Sequence, residues 1–124
     1  MKNANIIGLQ EKDCNAIAEK LNQLLANYSV FYQNTRGAHW NIKGNDFFTL
    51  HPKFEELYNN LVLKIDEIAE RILTLGAVPN HNYSDYLKLS TIKESGEVSD
   101  GDKCVGNILA SFKIVIDLQR DLLD

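Results

Sequence analysis

A chain of 124 residues, 44% hydrophobic and 24% charged, has the balance of one globular domain and contains no apolar run long enough to span a bilayer. A formal net charge of -4 and a pI near 5.3 speak against a dominant nucleic-acid surface, because phosphate binding rests on clustered Lys and Arg and no such cluster is visible. The apolar patch Ile6, Ile7 and Leu9 is too short for a signal-peptide core, and Cys14 and Cys104 form no CxxC, so the sequence reads as cytoplasmic.

A first long amphipathic helix is predicted from Asp13 to about Ile42, where Ile17, Leu21, Leu24, Leu25, Tyr28, Phe31, Tyr32, Thr35 and Ala38 recur at helical spacing and Gly44 follows to end it. A second is predicted from about Thr49 to Leu75, with Thr49 as N-cap and Pro52 in the first turn. Its stripe is Phe54, Leu57, Tyr58, Leu61, Val62, Ile65, Ile68, Ile72 and Leu75, and Gly76 closes it with Pro79 just beyond. From Ala77 to Gly101 the pattern is interrupted by Pro79, Asn80, Asn82, Gly96 and Gly101, which leaves a long connection with a short helical segment around Ser84 to Leu89. A third long helix begins near Ser99 or Asp100 and carries Val105, Ile108, Phe112, Val115 and Leu118. Leu122, Leu123 and Asp124 continue it in full rhythm with no stop signal, so residues 1–124 read as one domain cut inside a helix.

Three long helices joined by a short link and then a long one predict an all-α fold, an antiparallel hairpin followed by a crossover. That is the ferritin-like form of the four-helix bundle, here with three long helices, a short helix in the second connection and no fourth helix. The apolar stripes of such a chain call for a partner or a further segment.

Four potential metal ligands stand out. If Thr49 to Leu75 is one helix, a rise of ~1.5 Å per residue puts His51 and Asp66 ~22 Å apart along its axis, so no ion touches both in one subunit. At ~100° per residue, however, His51, Glu55, Asp66 and Glu70 share one face. Antiparallel packing brings His39, at the end of the first helix, beside His51. A shared face with a large axial separation therefore suggests a site completed across a twofold contact, with His39 and His51 from one subunit and Asp66 and Glu70 from the other. Imidazole and carboxylate ligands with open positions suit iron, and equally zinc or manganese. The spacing alone also fits a plain reading, since Asp66 and Glu70 interleave with Lys64 and Arg71 as on any solvated helix face. A di-iron centre within one bundle is excluded: Glu-x-x-His needs Glu three residues before a histidine, and those positions hold Arg36, Phe48 and Val78. His81, in the loop after Pro79, is expected to face solvent.

Gln33 to Gly44 (QNTRGAHWNIKG), Phe47 to His51 (FFTLH), Glu55 to Tyr58 (EELY), Asp66 to Arg71 (DEIAER) and Leu75-Gly76 together resemble the Dps mini-ferritins, over nearly the whole chain. The resemblance implies a ferroxidase that oxidises Fe(II), preferentially with hydrogen peroxide, and stores ferric mineral inside a hollow dodecamer. It implies His39 and His51 of one subunit and Asp66 and Glu70 of its twofold mate as iron ligands, with Glu55 nearby as ligand or supporting group. It also implies an electron-donor role for Trp40, whose other reading is an aromatic plug at the hairpin end, and it allows zinc in place of iron in a crystal. The sequence departs from the family in lacking a fourth bundle helix and a lysine-rich N-terminal arm, so DNA binding is not expected. Two other functions stand beside the ferroxidase: a nucleoid DNA binder, disfavoured by the acidic balance, and a helical oligomerisation module without catalysis.

Overall fold

The computed structural model describes residues 11–123, all helices and connections with no strand among them. Helix α1 spans Glu11–Asn41, α2 Phe47–Thr74, α3 Tyr83–Leu89 and α4 Gly101–Leu123, which is the expected set of three long helices and one short one. Leu24, Leu25, Tyr28 and Phe31 of α1 pack against Leu61, Ile68 and Ile72 of α2 and Val115 of α4. Burying each such side chain stabilises the fold by about 1.5–3 kcal/mol relative to leaving it in water. Phe31 meets Phe112 edge to face at 5.0 Å, pinning α4 to α1.

Lys20 pairs with Asp121 and Tyr28 with Gln119, whereas Ala38 and Ile42 share a cluster with Cys104. Thus α4 runs antiparallel to α1 and parallel to α2, as a crossover requires. The crossover is tied to α1 by three asparagines. Asn22 holds Val78 and Asn80, and Asn34 holds the backbone of Lys93 and Ser95. Between them the fully buried Asn27 accepts, on one oxygen, the backbone N–H groups of Thr91 and Ile92, each at 3.0 Å.

Helix boundaries fall within about two residues of expectation, and the start of α2 is the one where the expected cap is a different residue. Thr49 is not the N-cap of α2; the helix starts at Phe47 with Asp46 at that position, and Leu50 N–H donates to the Asp46 carbonyl at 2.8 Å. The turn Gly44–Asp46 itself begins the winding, with Phe47 N–H bonded to the Gly44 carbonyl, and Pro52 consequently lies inside the helix. The bond its nitrogen cannot make would have gone to the carbonyl of Phe48, a residue 87% exposed. Gly44 takes φ 98° in the link, three residues after α1 ends. Asp100 caps α4 as expected, its carboxylate accepting from Lys103 N–H at 3.1 Å.

Candidate metal centre

The short link between α1 and α2 folds the end of one against the start of the other and brings His39 and His51 face to face. Their rings stack at 3.8 Å with 12° between planes. His39 Nδ1 lies 2.6 Å from the backbone carbonyl oxygen of His51, and His51 Nδ1 lies 2.7 Å from that of His39. A carbonyl oxygen only accepts, so each Nδ1 carries the proton and donates it. Both rings are fixed in one tautomer and one orientation, and each keeps its Nε2 lone pair for a metal. His39 is buried and His51 half-buried.

Aromatic rings hold this pair from both ends. Phe47 stacks on His51 at 4.7 Å, leaving His51 between two near-parallel rings, and Tyr58 meets His39 edge-on at 5.4 Å. Tyr58 in turn meets Tyr32 at 5.9 Å. The sequence reading placed Tyr32 and Tyr58 only in the core stripes. Tyr58 is seven residues, two helical turns, after His51, and that spacing was the available signal.

The acids stand apart. Glu55, Asp66 and Glu70 are exposed on α2, an unbroken helix over the whole interval, and among the described residues no group of three or more His, Cys, Asp or Glu gathers closely enough to hold an ion within one subunit. The structure therefore joins His39 to His51 and keeps Asp66 and Glu70 away from them in the same chain. Trp40 is 58% exposed, its ring under the Arg36 guanidinium at 4.8 Å; the same guanidinium lies 5.2 Å from the Tyr32 ring and donates to the Tyr32 hydroxyl at 3.0 Å. Beside these rings a groove of about 430 Å³ opens, bordered by Tyr32, Arg36, Val62, Ile65 and Tyr86. Cys104, buried at the hairpin end, is a free thiol whose pKa is raised by burial and then by Asp100, which keeps it protonated and a poor ligand. His81 is exposed in its loop.

Comparison with known proteins decides the family. Residues 18–124 match the model of the ferritin-like domain. The crystal structure of the Dps protein from Vibrio cholerae O1, described as a member of a broad superfamily of ferritin-like diiron-carboxylate proteins, superposes with a TM-score of 0.93 at 54% identity over 94% of this chain and 74% of that one. The DNA protection during starvation protein of Porphyromonas gingivalis is 38% identical over 119 residues, 96% of this chain and 75% of that protein. The chain belongs to the Dps family. An uncharacterised protein of Haemophilus influenzae, 56% identical over 117 residues, is similar over 94% of this chain and 73% of its own length. The Dps match and the helix order α1 to α4 agree on one ferritin-like bundle, and the histidine pair sits where its first two helices meet.

Proposed function

We propose that this Dps chain oxidises Fe(II), with hydrogen peroxide as preferred oxidant, and stores the ferric product inside a closed shell of its own copies. The single observation that carries the reading is the reciprocal hydrogen bonding of His39 and His51, which leaves two preoriented Nε2 lone pairs side by side. In this reading the twofold mate brings Asp66 and Glu70 to that pair, with Glu55 as a further ligand or a neighbour that orients one. The supporting geometry is the exposure of all three acids and the open groove beside Tyr32 and Arg36, to which a second copy can pack.

Imidazoles suit the ferrous ion, and carboxylates stabilise the ferric product more than the ferrous substrate. Two ferrous ions at one site supply both electrons of peroxide: two Fe(II), one H2O2 and two protons give two Fe(III) and two waters, and no hydroxyl radical is released. The domain acts as a single cytoplasmic unit and its physiological form is a dodecamer. Zinc, which takes the same nitrogen and oxygen ligands without redox chemistry, serves as an inert probe of the site. The test is a His51→Ala, Asp66→Ala double variant. Peroxide-dependent iron oxidation should be lost while helical content is retained, and oxidation kinetics equal to those of the parent would remove the reading.

A further inference from the structure

His39 is fixed on α1 and His51 on the opening turns of α2, so the meeting of the two rings depends on where those turns come to rest. They rest on the start of α4. Lys43 N–H donates to the Ser99 carbonyl at 3.0 Å, tying the link to the residues that lead into α4. Two residues on, Gly101 opens that helix and is buried against the turn from Asp46 to Leu50. A Cβ placed on Gly101 would lie 3.0 Å from an Asp46 carboxylate oxygen, 3.2 Å from Leu50 Cδ1 and 3.4 Å from Asp46 Cβ. Carbon atoms settle at about 3.5–4.0 Å, so the space a side chain would need is already taken. Glycine is a poor helix former, and here it is the residue that lets one backbone come close to another element.

We infer that Gly101 is a positioning residue for the metal pair: its missing side chain lets α4 seat the opening turn of α2 at the depth where His51 meets His39. The inference rests on the metal-site reading above. Asp46 and Leu50 form one bonded turn, with Leu50 N–H donating to the Asp46 carbonyl at 2.8 Å, and His51 is the next residue. Asp46 is exposed, and its carboxylate can swing into water. Leu50 is half-buried against the cluster of Ala38, Ile42, Phe54 and Cys104, so a methyl group pressing on it moves the backbone it shares with His51. The histidine pair has no slack to absorb that movement. Its two bonds to backbone carbonyls are 2.6 and 2.7 Å, its rings stand 3.8 Å apart, and Phe47 of the same turn stacks on His51 at 4.7 Å. A displacement of a few tenths of an ångström re-aims the His51 Nε2 lone pair relative to that of His39. Gly101 itself offers no side-chain ligand and acts only through His51.

The experiment titrates the assembled, metal-free protein with cobalt(II), which takes the same nitrogen and oxygen ligands and whose visible spectrum reports its coordination geometry. Gly101→Ala should weaken cobalt binding about 10-fold and Gly101→Val more, with the absorption band altered in both. Removing the Leu50 methyl groups should relieve the pressure, so on a Leu50→Ala background the same Gly101→Ala change should cost no more than about 2-fold. A residue that matters only for stability would lower the thermal midpoint and leave the affinity and spectrum of the folded protein as they are in the parent, and that result overturns the inference. So does a Gly101→Ala loss that is as large without the Leu50 side chain as with it. Should Gly101→Val fail to fold, the alanine variants decide alone. A parent that binds no cobalt overturns the metal-site reading instead, so the two failures are distinguishable.

Discussion

One side-chain oxygen can do for a loop what a strand does for a sheet. The Asn27 carbonyl oxygen, buried mid-way along α1, takes the place of a second backbone for Thr91 and Ile92, and Ser90 and Thr91 hydroxyls lie at 3.1 and 3.0 Å from the same atom. Its Nδ2 is occupied by the Gln23 carbonyl at 2.9 Å, so the amide cannot flip without losing both sets of bonds. Truncation leaves at least two backbone donors without a partner, and a buried orphan costs ~1–3 kcal/mol. Asn27→Ala should therefore lower stability by about 3 kcal/mol, read as a shift of the urea midpoint at fixed protein concentration with little change in slope. A loss below about 0.5 kcal/mol would mean that water replaces the amide and the crossover is not held from α1. The histidine pair follows the same logic, since backbone carbonyls choose the tautomer of both rings, and neither partner is detectable from the residue type.

Helix lengths and order were legible because the apolar stripes are long and regular, and because Gly76 and Asp100 carry their own stereochemistry. Gly76 adopts φ 82°, with Gly76 N–H bonded to Leu73 and Ala77 N–H to Ile72, the paired bonds of a Schellman cap. Gly76→Ala should cost about 1–2 kcal/mol, the penalty of a Cβ in the left-handed region, measurable as a lower thermal midpoint. An unaltered midpoint would show that the cap is not under this constraint. The start of α2 was misread for a comparable reason. Thr49 has the right side chain for an N-cap, but the tight link after Gly44 already winds the backbone from Asp46, and Asp46 makes no side-chain cap bond that a sequence pattern could reveal. The approach of His39 to His51 followed from antiparallel helices alone. The Tyr58 and Tyr32 contacts did not, because a tyrosine in an apolar stripe looks the same whether it fills a core or leans on a histidine.

At the scale of the molecule the open question is which subunit owns which half of the site, and subunit mixing answers it directly. In an isologous contact each partner presents the same surface, so a twofold dimer contains two sites, each made of one subunit's histidines and the other's acids. A chain carrying His39→Ala and His51→Ala keeps its acids, and a chain carrying Asp66→Ala and Glu70→Ala keeps its histidines. Each alone should be inactive in peroxide-dependent iron oxidation. When the two are unfolded together and reassembled, half of the dimers of a random mixture are mixed, and each mixed dimer regains one of its two sites. Activity should therefore return to roughly a quarter of the parent's per subunit, with no new residue introduced. Sites confined to a single chain cannot complement in this way, because every subunit in the mixture still lacks half of its own ligands. A mixture as silent as its components, with mixed dimers verified by mass spectrometry, would remove the shared-site geometry while leaving the fold intact. Recovery near a quarter would tie Asp66 and Glu70 to the partner's His39 and His51 through function alone, and would explain why an exposed helix face carries two like charges one turn apart.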